Sequence, residues 1–243
     1  YNALSAVLRG VGDSRTPLYF LIASSLANIV MDVVFVVCFH MGVGGVAWAT
    51  FLCQGVASVL AAWTLFRRLR GVPAPERHPL FSWRMLGRIA RIAVPSILQQ
   101  SFISVGNLFI QSLVNGFGSA VVAGYSAAVK LNTFALTGFT TLGNGLSSFT
   151  AQNIGAGRPE RVKQGFRAGA GMTLCVAVPF IAAFVFAGPQ MVRLFLSAPS
   201  ADALAQGTLF LNIVAPFYVL ISLKLAADGV LRGAGCMGQF MTA

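Results

Sequence analysis

Asp32 is an acidic side chain in an apolar setting. It lies inside the run Pro17–Phe39, which is long enough to cross a bilayer. Asn28 stands four residues earlier, so both side chains leave one face of a helix. An ionisable group at such depth costs several kcal/mol and is kept where it handles an ion, a proton or a partner. A carboxylate there can act as a hard oxygen ligand for Na⁺ or as a proton carrier. The bland alternative is a polar pair that holds helices together. The expectation is ion-coupled transport across a membrane, with Asp32 as the residue that carries the coupling.

Two polar rows follow further along the chain. Gln100, Ser104, Asn107 and Gln111 recur at helical spacing, and so do Thr133, Thr137, Thr140, Asn144 and Ser148. Each row forms one helix face, and facing rows can line a wet cavity for a substrate or bond one helix to another. Gln100, Ser104, Asn107, Gln111, Thr137 and Asn144 are the candidates for such a cavity. Lys130 sits nearer the outer end of its span, where it can snorkel to the interface. Lys224 and Asp228 are four apart, the spacing of an intrahelical ion pair, read as structural.

Other chemistries find no support. His40 and His78 are far apart and both fall in loops. The cysteines Cys38, Cys53, Cys175 and Cys236 have neither metal-type nor redox-type spacing. No nucleophile–base set can be assembled, so no enzyme activity and no cofactor are expected. Gly10-Val11-Gly12 and Gly42-Val43-Gly44-Gly45 follow no strand and precede no phosphate-binding lysine, which argues against direct ATP coupling.

The elements that must position these residues are membrane helices. Of the residues 56% are hydrophobic and only 9% charged, well below the quarter typical of soluble domains. Six stretches qualify as spans: Pro17–Phe39, Val43–Phe66, Met85–Val114, Ser119–Phe149, Val162–Ala187 and Gly207–Leu231. They are too long and too continuous for barrel strands. Tyr1–Leu8 reads as the end of a further helix and the last residues as the start of another, so an internal fragment is expected. The net charge of +11 does not imply nucleic acid, because the basic residues gather in alternate loops. All of the 17 except Lys130, Arg193 and Lys224 fall on one side, which the positive-inside rule makes cytoplasmic. Anionic lipid headgroups are their expected partners.

Prolines 73, 75 and 79 mark an extended basic linker over residues 71–84. It separates residues 1–70 from a second helical bundle, 85–243. Phe81–Arg91 is basic and amphipathic and is expected at the cytoplasmic interface. Pro95, Pro179 and Pro216 are expected to bend or loosen their helices. Leu8-Arg9-Gly10-Val11-Gly12 recurs as Leu231-Arg232-Gly233-Ala234-Gly235, each time after an apolar span at the same predicted face. The matching position points to a duplication, with glycines turning the chain out of a helix and arginines reaching headgroups.

The stretch Leu8–Pro17, then Ala27-Asn28-Ile29-Val30-Met31-Asp32, then Gly42–Thr50 resembles the multidrug and toxic compound extrusion (MATE) family. Val94-Pro95, Ala123–Ala128 and Ala151–Gly157 resemble its second half. The resemblance covers the whole chain. It implies an all-α polytopic membrane protein of two pseudo-symmetric bundles. Residues 1–70 would be the end of the first lobe, helices four to six of the family, and residues 85–243 helices seven to ten. In one branch a cation or proton site joins an aspartate of helix one to polar groups of helices four, five and six; the matching residues here are Asn2, Asn28, Asp32 and Thr50. Na⁺ would then sit among Asp32, Asn28 and Thr50. Another branch carries acids on helices seven and ten, but the seventh-helix region reads Gln99-Gln100-Ser101, which favours the DinF-like branch.

The resemblance implies a secondary antiporter, expected as a monomer in a prokaryotic plasma membrane. It would export amphipathic, often cationic organic compounds in exchange for Na⁺ or H⁺ by alternating access. A lipid-linked oligosaccharide flippase of the same superfamily would carry several basic residues in its cavity, whereas the spans hold only Lys130 and Lys224. A non-transporting membrane module would not need Asp32.

Overall fold

The computed structural model describes residues 1–71, 81–196 and 200–242. All its regular structure is helical. The chain divides into two compact units, Tyr1–Leu80 and Phe81–Ala243. The expected linker falls largely on residues outside those described, and the second unit's first helix begins at Trp83.

The first unit holds α1 (Asn2–Gly10), α2 (Arg15–Val33) and α3 (Gly42–Leu69). On α3 the buried residues are Gly45, Ala49, Cys53, Ala57, Ala61 and Leu65, one every four positions. Five of the six are small. This ridge lets α3 lie close against α2, as packing in lipid requires when apolar burial offers little drive between helices. A Cβ on Gly45 would stand 3.0 Å from the Cβ atoms of both Phe35 and Met41, so the close approach is complete there. α2 ends in a π-helical turn, Val34–Cys38, before the chain reverses at His40, which adopts φ 53°. Leu8, Ala61 and Leu65 form a small apolar core that ties α1 to α3.

The second unit runs α4 (Trp83–Asn115), α5 (Ser119–Gly155), α6 (Pro159–Leu194), α7 (Ala201–Val214), α8 (Tyr218–Ala234) and the short α9 (Met237–Thr242). α5 is its centre and packs against α6, α7 and α8. The core joins Phe139 of α5, Phe184 of α6 and Tyr218 of α8 as edge-on or tilted rings. The fully buried Tyr218 hydroxyl donates to Asn132 Oδ1 at 2.7 Å, so the one polar tip in this aromatic cluster is satisfied. Where α5 crosses α8, Gly143 meets Gly229, and a Cβ on Gly229 would collide with the Gly143 carbonyl.

Among the described residues five helical spans are long and apolar enough to cross a membrane: Arg15–Cys38, Gly42–Leu69, Trp83–Asn115, Pro159–Leu194 and Ala201–Ala234. The sixth expected span, Ser119–Phe149, is helical as part of the 37-residue α5 but does not reach that apolarity. Lys130, Asn132 and its threonines lower it. The prolines also act differently from one another. α4 continues through Pro95 and α6 through Pro179, whereas Pro216 sits in a 3₁₀ turn, Ala215–Phe217, that separates α7 from α8. From Trp83 the stretch Phe81–Arg91 runs without a break into α4.

The repeated motif is reproduced bond for bond. After α1 the amide of Gly12 donates to Arg9 O (3.0 Å) and that of Asp13 to Leu8 O (2.9 Å). After α8 Gly235 donates to Arg232 O (3.1 Å) and Cys236 to Leu231 O (3.0 Å). Gly12 (φ 93°) and Gly235 (φ 74°) both take the positive φ that this pair of C-terminal bonds demands, which a side chain would strain.

Candidate functional site

In the first unit α2 and α3 bring Asn28 and Thr50 together. Asn28 Nδ2 donates to Thr50 Oγ1 over a long 3.4 Å. They line a small cavity of about 190 Å³ with Ser24, Ser25 and Gln54. Asp32 follows one turn beyond Asn28 on α2. Its side chain is half-buried, and its Oδ1 is enclosed with no hydrogen-bond partner among the described residues. A buried carboxylate oxygen without a partner is a free ligand position. Asn28, Thr50 and Gln54 bring neutral side-chain oxygens to this cavity, and of these Asn28 stands one helical turn from Asp32 on the same helix. Hard oxygens of this kind suit Na⁺ or a proton. Asn2 lies exposed on α1 and is not among the residues lining this cavity.

The second unit holds a larger cavity of about 580 Å³ between α4, α5, α8 and α9. Gln99 and Gln100 reach it from α4, Thr140 and Asn144 from α5, and Lys224, Asp228 and Arg232 from α8. Of the sequence candidates, Gln100 and Asn144 line this cavity, while Ser104, Asn107, Gln111 and Thr137 do not. Gln111 donates to Asn115 of its own helix at 3.0 Å. Thr133, Thr137 and Thr140 each return a hydrogen bond to a carbonyl three or four residues back, at 2.8, 2.8 and 3.0 Å. Their donors are thus used within α5, not across helices. Lys224 pairs with Asp228 at 2.8 Å, as the spacing predicted. Arg232, expected at headgroups, instead donates to Asn144 Oδ1 at 3.1 Å and lies over the Phe240 ring. Serving the cavity lets its guanidinium meet an acceptor and an aromatic face.

Asp13, which the motif analysis does not single out, lies in the loop just before α2. Its Oδ1 accepts from the Thr16 amide at 3.1 Å and caps α2, and its Oδ2 pairs with Arg68 Nη2 at 2.8 Å. The Thr16 side chain holds the carboxylate below its usual range, helped by the Thr16 amide and Arg68 against the upward push of burial. The aspartate thus joins the start of α2 to the end of α3. The cue was available: an Asp three residues before a Thr-Pro at a helix start is a cap signal. Gln54, one turn after Thr50 on α3, is the other residue the sequence reading missed.

Comparison with known proteins decides the family. The family model described as MatE matches residues 95–243. The chain belongs to the MatE family. Its MatE relatives include the probable multidrug resistance proteins YpnP and YoeA of Bacillus subtilis (strain 168). YpnP is 34% identical over 241 residues, covering 99% of this chain and 53% of that protein. YoeA is 28% identical over 244 residues, covering 97% and 52%. A solved outward-facing multidrug resistance MATE family transporter of the MOP superfamily superposes with TM-score 0.87 at 24% identity, covering 99% of this chain and 54% of the other, and so shares its fold. The chain spans about half the length of the curated relatives it matches. MatE membership and its apolar helices set it among multi-pass membrane proteins.

Proposed function

We propose that the whole protein to which this chain contributes is a secondary antiporter of the DinF-like branch. It exports amphipathic, often cationic organic compounds in exchange for Na⁺ or H⁺. Residues 1–70 end its first lobe and residues 85–243 supply most of its second, and the lobes expose the substrate site alternately to each side. It works as a monomer in the prokaryotic inner membrane. Asp32 carries the coupling charge, and Asn28 and Thr50 supply neutral oxygens. Asn2 joins them in the conformation that binds the ion.

The observation that carries the reading is the enclosed, unpartnered Oδ1 of Asp32, one turn from the Asn28–Thr50 contact inside an apolar helix. Such an oxygen gains a partner when a cation or proton arrives. Binding there favours one conformation of the lobes, while substrate favours the other, and that difference in affinity is the whole requirement for exchange. Gln100, Asn144 and the cavity around them serve as the substrate side.

The test is dye efflux from proteoliposomes of the full-length protein under an imposed Na⁺ or pH gradient. Wild type should move dye under one gradient and so name the ion. Asp32→Asn should fall to the rate of empty liposomes. Normal coupling in that variant would make the acid structural, and no dye movement by wild type would point to the flippase reading.

A further inference from the structure

The second unit's cavity has a sign that the cation-export reading does not predict. Its charged lining consists of Lys224, Asp228 and Arg232, successive turns of α8. Lys224 already neutralises Asp228 at 2.8 Å. Among the described residues Arg232 has no ion pair, and its contacts are a neutral amide and a ring. Its Nε is enclosed without a hydrogen-bond partner among the described residues, so one guanidinium donor stays unspent. Gln99, Gln100, Thr140 and Asn144 add neutral polar groups, and Ile103, Leu136, Ile221 and Leu225 make the remaining wall apolar. At about 580 Å³ the space suits one small organic molecule.

We propose that this cavity binds an amphiphile bearing a single anionic group, with its acid head toward Arg232 and Lys224 and its apolar body along the aliphatic wall. Two cations against one carboxylate repel a lone organic cation and attract an organic acid, most strongly away from bulk water. A guanidinium with an unspent N–H is the group best fitted to a carboxylate, sulfonate or phosphate oxygen. That the ligand is exported cargo rests on the transport reading above; that it binds does not. The anion has two possible sources, a soluble organic acid or a lipid headgroup, and both present the same chemistry.

The experiment is equilibrium binding of radiolabelled taurocholate, an amphiphile with one sulfonate, to the full-length protein in phosphatidylcholine nanodiscs without an ion gradient. Wild type should bind it saturably, and the bulky cation tetraphenylphosphonium should not displace it. Lys224→Gln, which leaves no net positive charge, should weaken binding about tenfold. Asp228→Asn should tighten it, and the double variant should return close to wild type because one net positive charge is restored. Displacement by added phosphatidylglycerol would assign the anion to a lipid, and indifference to it would assign a soluble acid. Preference of wild type for tetraphenylphosphonium overturns the proposal, as does unchanged taurocholate affinity in Lys224→Gln. If that variant fails to fold, Asp228→Asn decides alone, since binding that is not tightened overturns it equally. Because no gradient is applied, failed ion coupling at Asp32 would leave this result untouched.

Discussion

Asp13 and Asp32 are both shielded carboxylates, yet their surroundings give them opposite duties. Asp13 accepts from the Thr16 amide and is ion-paired with Arg68, so it holds structure. Asp32 has one oxygen left open, so it is placed to exchange partners. Replacing Asp13 by Ala should cost about 1 kcal/mol, the usual value of a helix cap. Arg68→Ala should cost less, with an effect that fades in salt, because the Arg68 side chain is half exposed. The pH dependence has a definite sign. The folded pKa of Asp13 lies below the ordinary 3.8, so its contribution is complete above that value and is lost as pH falls through the lowered one. In thermal melts of the full-length protein, the gap between wild type and Asp13→Ala should be widest near neutrality and close in acid. A gap that stays constant into acid would mean that the carboxylate charge contributes nothing.

Among the helices, the crossing of α5 and α8 sets how closely the second unit packs. Gly143 and Gly229 face each other there with no room for a side chain. Gly229→Ala should cost about 1–3 kcal/mol through overpacking, read as a lower melting temperature. Gly171→Ala on α6 is the control, since nothing stands within 4 Å of its added Cβ, and it should be neutral or slightly stabilising. Equal effects of the two would show that the crossing is not tight. The sequence makes helices such as α2 and α3 legible because their apolar runs are long, and it makes the glycine turn legible because Leu8–Gly12 repeats at Leu231–Gly235. It does not show which residues meet. Asn144 and Thr137 belong to one periodic row, yet only Asn144 lines the cavity. Periodicity assigns a residue to a face of its own helix and carries no information about which neighbour covers that face. The α5 span is legible as a helix, while its packing against α6, α7 and α8 is not. Lys224 and Asp228 were legible as a pair because both lie on one helix. Arg232 and Asn144 were not, being 88 residues apart in the chain.

For the molecule as a whole, charge distribution fixes orientation. Basic residues gather in or beside the connections α1–α2 (Arg9, Arg15), α3–α4 and α5–α6 (Arg158, Arg161, Lys163), and none lies at His40 or in the turn Gly116–Gly118. Translocation disfavours Lys and Arg in short loops, so the basic side is expected to face the cytoplasm. Within the second unit this makes a direct prediction. Phe117 is exposed in the α4–α5 turn, and Cys236 is exposed just after α8. In full-length protein with all native cysteines replaced by Ser, Phe117→Cys should react with a membrane-impermeant maleimide on intact cells. A version keeping only Cys236 should react only once the cells are opened. The reverse pattern would invert the topology and put the Arg232 end of α8 outside. With the basic face inside, the Lys224–Asp228–Arg232 turns of the second unit would lie toward the cytoplasmic end of α8, the end from which the proposed export would load its cargo.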